Sequence, residues 1–528
     1  MSQASSIDRT DQAKDQTDQA KDQIVVVGAG IAGLTAAALL ARAGQRVLLL
    51  EAHHQSGGCA GSFRRGPYRF DVGATQVAGL EPGGSHARLL AHLQVEPPAA
   101  SPLDPACVVE LGDGSAPIQI WRDPMRWQAE RLRQFPGSEK FWQLATTLHR
   151  ANWAFAAGDP VLPPRSLWDL GQLLGALTPN TLASGLLAGS TVADLLWLCG
   201  CGGDSRLRRF LDLQLKLYSQ EPADRTAALY GATVLAIAQE PLGLWHLQGS
   251  MQALASCLER ALARWGGELR LRQRVRSLRP LASPVTSPGA RAAAGGWRVE
   301  VSGPGDRTLV VEAADVVCSL PPQGLPALLG PAMPAHYARR IEDLGEPSGA
   351  LVLYGAVDRR QLPATTAAHL QLDWPDPGPL FVSVSLEGDG RAPAGQATVI
   401  ASVFTAAKPW LAGGAADYSA RKQLALRGMH QGLQQLLGIA PSDWLHAELA
   451  TPRSFAHWTG RPHGYVGGIG QHPSRFGPFG LASRTPLPGL WLCGDSIYPG
   501  EGTAGVSLSA LTAARQLLER RGLNLTLN

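Results

Sequence analysis

Three glycines in the stretch "VVVGAGIAGLTAAALLARAGQRVLLLEA", Gly28, Gly30 and Gly33, stand in GxGxxG spacing directly after the apolar run 24–27. A short all-apolar run is what a parallel strand covered on both faces requires. In this spacing the first glycine makes a tight turn, the second lets a backbone approach a pyrophosphate, and the third lets the next helix lie close on the strand. Ile31 and Ala32, between the second and third glycine, belong to the same expected contact. The helix is expected over 34–43 and stops at Gly44, a common C-terminal signal. A strand over 46–50 then delivers Glu51, 18 residues beyond Gly33. A carboxylate there can accept both hydroxyls of an adenosine ribose. Strand, glycines, helix, strand and acid, in that order, predict a dinucleotide site.

Beyond Glu51 a nicotinamide-binding domain would proceed to another crossover helix. Here Gly57-Gly58 and Ser62 lead instead to Phe70-Asp71-Val72-Gly73, a short strand ending in Asp-x-Gly. That arrangement extends the cradle along a longer cofactor. A second glycine-rich turn lies near the C-terminus, in "WLCGDSIYPGEGTAGVSLSALTAARQLL" at 491–518. An apolar run ends at Gly494-Asp495, and Gly502, Thr503, Ala504 and Gly505 precede a helix expected from Val506.

The elements that must position these residues are spread over 528 residues, a length that suggests two or three domains. Apolar residues make up 45%, enough for large cores, and the net charge is only +4 with no basic block, which argues against a nucleic-acid partner. Seven cysteines without paired CxxC sets argue against a disulfide framework or a metal site, and Cys199 and Cys201 read as packing residues. "TDQAKDQ" occurs at 10–16 and again at 17–23, so residues 1–23 are expected to form a disordered tail. No secretory hydrophobic region and no apolar stretch of membrane-spanning length is present. The nearest, 181–199, is interrupted by Gly185, Gly189 and Asp194. A cytoplasmic protein is expected.

Residues 85–245 lean helical, and Leu207, Phe210, Leu211 and Leu215 form one face of a helix that reads first as core. Strands are expected near 350–357, 380–386 and 397–405, with a helix near 419–437. A low-complexity hairpin tip is expected at 281–296. His457 and His463 are candidate catalytic side chains, although a surface role is the simpler reading of a loop histidine.

These segments, in this order, resemble the FAD-binding half of the amine oxidase and phytoene desaturase superfamily. The match continues through Gly249-Ser250-Met251, where relatives show Gly-Gly-Met, through "ADVVCSLPPQ" at 314–323, and through "ATPRSFAHWTGRPHGYVGG" at 450–468. The resemblance implies an α/β fold: a Rossmann-like FAD-binding domain of 24–84, 245–330 and 466–520. Interleaved with it is an α+β substrate domain of 85–244 and 331–465 with a helical membrane-associating region. It implies FAD as cofactor, with the Gly57–Ser62 loop along the pyrophosphate and ribityl chain and the backbone of Val275 against the adenine. Asp495 would accept from the ribityl hydroxyls, and the 502–506 backbone would face the flavin ring. Many relatives carry Arg or Lys after the paired glycines, where this chain has Cys59, so no cationic contact is carried over there. A helix N-terminus facing reduced flavin stabilises its negative charge by roughly 0.3–1 kcal/mol, and by about 2 when partly buried.

The turn "GDSIYPGEGTAG" is most similar to the carotenoid branch, and within it to cyanobacterial carotenoid 3′,4′-desaturases related to methoxyneurosporene dehydrogenases. That implies a polyene substrate losing a hydride to flavin and a proton from the neighbouring carbon, with no residue standing out as the base. Exposing a polyene of about 40 carbons to water costs roughly 30 kcal/mol at ~0.8 kcal/mol per carbon. The substrate would therefore be collected from a bilayer by peripheral attachment through apolar helices of 140–220. A membrane quinone suits such an enzyme as electron acceptor, though no residue assigns it. Three alternatives stay open: a carotenoid cis–trans isomerase using reduced FAD; an amine oxidase with an aromatic cage drawn from Trp458 and Tyr465; and a non-catalytic prenyl-escort-like protein. The intact GxGxxG, Glu51 and Gly494-Asp495 argue against the last.

Overall fold

The computed structural model describes residues 22–281 and 295–527. The TDQAKDQ repeat except Asp22-Gln23, and the low-complexity tip except Leu281, Gly295 and Gly296, lie outside the described residues. Gln23, assigned above to the tail, is tied in: its carbonyl accepts the Ala314 amide at 2.8 Å.

Five parallel strands form the first sheet, in the order Glu268–Arg270, Val47–Leu50, Ile24–Val27, Asp315–Cys318 and Leu490–Leu492. Strands either side of Ile24–Val27 are reached in opposite directions, and such a switch point opens a crevice beyond the strand C-termini. Small side chains let the helix Ile31–Arg42 sink fully into this fold, and every residue from Ile31 to Ala41 is buried. It packs with Gln252–Arg264 and Gly502–Arg520 over one face of the sheet. A three-stranded meander, Arg274–Pro280, Trp297–Ser302 and Thr308–Ala313, covers the other.

The second sheet has seven strands, in the order Trp444–Ala450, Gly349–Asp358, Gln396–Thr405, Leu380–Val384, His369–Leu372, Cys107–Glu110 and Ile118–Ile120. It draws strands from two distant stretches of chain, joined where His369–Leu372 pairs parallel with Cys107–Glu110. The long helix Ala415–Leu437 packs against it. A helical layer includes Glu139–Ala157, Leu167–Gly175, Pro179–Gly185, Ser205–Ser219 and Ala228–Leu235. The stripe of Leu207, Phe210, Leu211 and Leu215 is core, at most 1% exposed. No helix among the described residues is long and apolar enough to cross a membrane.

Asp71, at the end of the short strand Tyr68–Asp71, ties together the start of the helix Gln252–Arg264 and the loop between Leu380–Val384 and Gln396–Thr405. Its Oδ2 pairs with Arg391 at 2.9 Å and its Oδ1 takes the Met251 amide at 2.7 Å. Arg391 also binds Asp389 at 3.0 Å, which in turn meets His246 at 2.9 Å, all of them nearly inaccessible to water. Breaking one partner of such a pair costs about 3–5 kcal/mol, because a buried charge is left uncompensated.

Candidate functional site

The glycine turn after Ile24–Val27 is shaped by close approach. Gly28 has φ +93°, and a Cβ on Gly33 would lie 1.8 Å from the Gly28 carbonyl oxygen. A Cβ on Gly30 would meet nothing within 4 Å, so it would stand in the open cradle itself. Gly57 (φ +103°) and Gly58 (φ +57°) face the same turn through a bridge between Gly30 and Gly57. Glu51 closes this end. Its Oε2 accepts the Ala29 amide and its Oε1 the His53 amide, each at 2.7 Å. Each carboxylate oxygen keeps a further lone pair, and the residue lines the cavity.

At the other end Gly494 and Asp495 follow the strand Leu490–Leu492. Asp495 Oδ2 lies 2.7 Å from Arg461 Nη2, and the same nitrogen donates to the Gly467 carbonyl at 2.5 Å. Burial acts to strip the proton from Arg461, but Asp495 and Cys59 outweigh it, and the guanidinium is held above its ordinary value. The last helix begins at Gly502 rather than Val506, so the glycine-rich stretch is its first turn and Glu501 its N-cap. Gly502 enters it at φ +80°, a conformation open to glycine without strain.

Glu501 Oε1 accepts the Gly468 amide at 2.7 Å and the Gln220 side-chain amide. Its carboxyl is pushed well above the usual range, first by burial and then by Asp495; Gly468, Gln220 and Arg461 act against this. A helix N-terminus favours the carboxylate by about 2 kcal/mol at most, whereas the effective cost of stripping water from an ion is several kcal/mol. Burial wins.

One cavity of about 1630 Å³ joins these features. Its lining includes Gly28, Gly30, Ile31, Ala32, Glu51, Gly57, Gly58, Ser62, Gly494, Asp495, Gly502, Thr503, Ala504 and Val506. The same cavity is lined in the helical layer by Trp153, Phe155, Leu173, Leu177, Leu229, Val234 and Ile237, an apolar limb.

A model of flavin containing amine oxidoreductases matches residues 183–518, more than half of the chain, and a model of NAD(P)-binding Rossmann-like domains matches 26–93. The chain belongs to the flavin containing amine oxidoreductase family. It is 24% identical to a chloroplastic prolycopene isomerase of Arabidopsis thaliana, covering 94% of this chain and 83% of that protein. It is 28% identical to a phytoene dehydrogenase of Streptomyces griseus over 50% of each chain. A solved structure of putrescine oxidase bound to putrescine shares the fold, with TM-score 0.60, 16% identity and coverage of 95% and 99%.

This flavoenzyme is an FAD-dependent oxidoreductase. Its cradle fits such a cofactor: the open face of Gly30, the acceptor at Glu51 and the first turn at Gly502 share one continuous cavity. Two of the expected contact residues do not line it. Gly33 acts behind the turn, and Val275 packs in the core with Val27, Leu48 and Leu50. His457 and His463 are exposed and outside the cavity lining. Tyr465 is 2% exposed and absent from the lining, while Trp458 stands edge-on to His53, 6.0 Å away at the Glu51 end. These two aromatics form no cage. The sequence assigns no role to Arg461, and Glu501 enters only as part of the C-terminal turn that carries the resemblance. Arg461 lies in the segment matched to the flavin-side loop, and Glu501 directly precedes the glycines that were singled out.

Proposed function

We propose that the enzyme acts on a carotenoid-type polyene drawn from a membrane surface and introduces a double bond, at the 3′,4′ position in the reading given by the C-terminal turn. The observation that carries this is the apolar limb, which runs without a break from the cradle into the helical layer. An extended hydrocarbon fits such a limb. Similarity to a prolycopene isomerase and a phytoene dehydrogenase supports the same substrate class.

In this reading Gly28, Gly30, Ile31, Ala32 and Glu51 hold the adenosine and pyrophosphate half of FAD, and Gly33 lets the helix behind them pack close. Gly57, Gly58 and Ser62 lie along its middle, and Gly494, Asp495 and residues 502–506 hold the ribityl and ring end. When bound, FAD supplies a two-electron acceptor for hydride. The chain's own residues orient the polyene in the limb, exclude water and place the Arg461–Asp495 ion pair beside the Glu501 carboxyl. Five leucines, Leu167, Leu170, Leu174, Leu182 and Leu186, are exposed on the two helices whose inner residues line the limb. They form the face that meets the bilayer, where a quinone is the expected final acceptor.

The test uses purified, flavin-loaded protein with acyclic and monocyclic carotenoids in phosphatidylcholine vesicles, followed by mass spectrometry. Desaturation removes two hydrogens and lengthens the chromophore. A product of unchanged mass and altered geometry establishes the second reading, isomerisation, which the similarity to prolycopene isomerase over 83% of that protein supports. No change in any carotenoid, with flavin retained, sinks both.

A further inference from the structure

Five carboxylates line the cavity among the described residues: Glu51, Glu259, Glu448, Asp495 and Glu501. Glu51 is engaged by two backbone amides, Asp495 by Arg461 and Glu448 by Arg65 at 2.9 Å. Glu259 sits on Gln252–Arg264, the helix packed against Ile31–Arg42 on the dinucleotide side. Glu501 is placed differently. Gln220, which binds it, directly follows the helix that gives Leu217 and Tyr218 to the apolar limb. Its charge is felt at the hydroxyl of Tyr230, which is on the limb helix Ala228–Leu235. Glu501 therefore stands where the limb meets the ring end of the cradle.

Its two oxygens are not equivalent. Oε1 takes both hydrogen bonds, from Gly468 and Gln220, and Oε2 takes none among the described residues. The backbone is fitted tightly around this arrangement, since a Cβ on Gly467 would lie 2.2 Å from Gln220 Nε2 and 2.7 Å from Glu501 Oε1. Two donors thus fix the carboxyl plane and leave one oxygen bare in a cavity otherwise without an unengaged acid at this end.

We infer that Glu501 is the catalytic base of the polyene reaction, its Oε2 receiving the proton lost from the substrate. This rests on the polyene reading above. In desaturation, FAD held by the cradle would supply the acceptor for the hydride, with its bonding pair, that one carbon gives up. The C–H bond on the neighbouring carbon then breaks, its electron pair becomes the new π bond, and the proton passes to Oε2. In reverse, Oε2 returns the proton to one carbon as hydride returns to the other, so the same residue serves a redox-neutral isomerisation. A carboxyl raised by burial is a stronger base than an exposed one, which is what proton abstraction from carbon demands.

The experiment compares flavin-loaded wild type, Glu501→Gln and Glu501→Asp with lycopene in phosphatidylcholine vesicles, across pH. Wild type is expected to show a rate that rises with pH through the Glu501 ionisation. E501Q should lose roughly 10²–10⁴-fold of that rate and the pH limb with it, with flavin content and the carotenoid spectral shift on binding retained. E501D should keep the limb at a lower rate. A second readout needs no turnover: the infrared difference spectrum of wild type minus E501Q should contain a neutral carboxylic C=O band that disappears at high pH. E501Q turning over at the wild-type rate with an unchanged pH profile overturns the assignment while leaving the polyene reading intact. So does the absence of the carboxylic band. Failure of wild type to bind or convert any carotenoid, with the band present, removes the polyene reading and the base role with it.

Discussion

Arg461 and Asp495 form a partly buried ion pair, with Nη2 2.7 Å from Oδ2, at the end of the cavity where the last helix begins. The carboxylate expected to be free for ribityl hydroxyls is therefore half-engaged by a guanidinium that also grips the Gly467 carbonyl. This pair holds the 461–468 loop against the strand end Gly494-Asp495, and so sets the floor on which Glu501 rests. Removing one partner leaves the other charge uncompensated, at a cost below the ~3–5 kcal/mol of a fully buried pair. Arg461→Met should lower the thermal midpoint and reduce flavin content together. Asp495→Asn, which keeps an acceptor oxygen, should retain more flavin than R461M. Equal flavin content in R461M and wild type would show that the pair does not support the site.

Glu51 holds two backbone amides before any cofactor arrives. Glu51→Ala leaves both without a partner, each at about 1–3 kcal/mol if water cannot reach it, and removes the ribose acceptor as well. FAD affinity should fall by at least ~10-fold, equivalent to about 1.4 kcal/mol, as measured by flavin fluorescence on titrating the apoprotein. Glu51→Gln keeps one acceptor oxygen and should fall between the two. An E51A protein that binds FAD as tightly as wild type removes Glu51 from the site.

Leu167 and Leu186 are 88% and 87% exposed, on the helices whose inner residues line the apolar limb. Burying one such side chain in lipid is worth about 1.5–3 kcal/mol. The double variant Leu167→Glu/Leu186→Glu should therefore partition onto phosphatidylcholine vesicles at least ~10-fold more weakly in a flotation assay. Flavin content should stay the same, because neither residue lines the cavity. Unchanged flotation would place the membrane face elsewhere.

The dinucleotide half was legible because local rules fix it. An all-apolar strand, glycines needed for close approach, and an acid at the next strand end leave few alternative folds, and Ile24–Val27, Gly28, Gly33 and Glu51 occupy the places they imply. The strands 349–358 and 396–405 were legible from their apolar patterning for the same reason. Arg461 and Glu501 were not, because their character comes from partners far along the chain. Gln220 and Glu501 are 281 residues apart, and Asp71 and Arg391 are 320 apart. Burial raises the carboxyl of an ordinary Pro-Gly-Glu-Gly turn well above its usual range, and burial across such distances has no local signature. The helix start was misplaced by four residues because Gly502–Gly505 read as a loop. Tertiary cover from Ile31–Arg42 lets those small residues join the helix.

His369, stacked on Phe381 at 5.7 Å and 15°, is inaccessible to water, and burial, reinforced by His246 and Arg391, pushes its imidazole down to about 3. In the unfolded chain the same group takes up its proton near its ordinary value of 6.5. The folded-state value is the lower one, so the unfolded chain binds more protons between the two values. Stability is then intact above 6.5 and lost as pH falls toward about 3. At about pH 4 the deficit from this one group is about 3 kcal/mol relative to neutral pH. His369→Gln, which cannot take up that proton, should be less stable than wild type at neutral pH through lost packing, yet lose less on acidification. Urea midpoints measured from neutral pH down to about pH 4 should therefore converge for the two proteins. Parallel curves across that range would mean that His369 stays neutral in both folded and unfolded states or is protonated in both, and that acid sensitivity arises elsewhere in the chain.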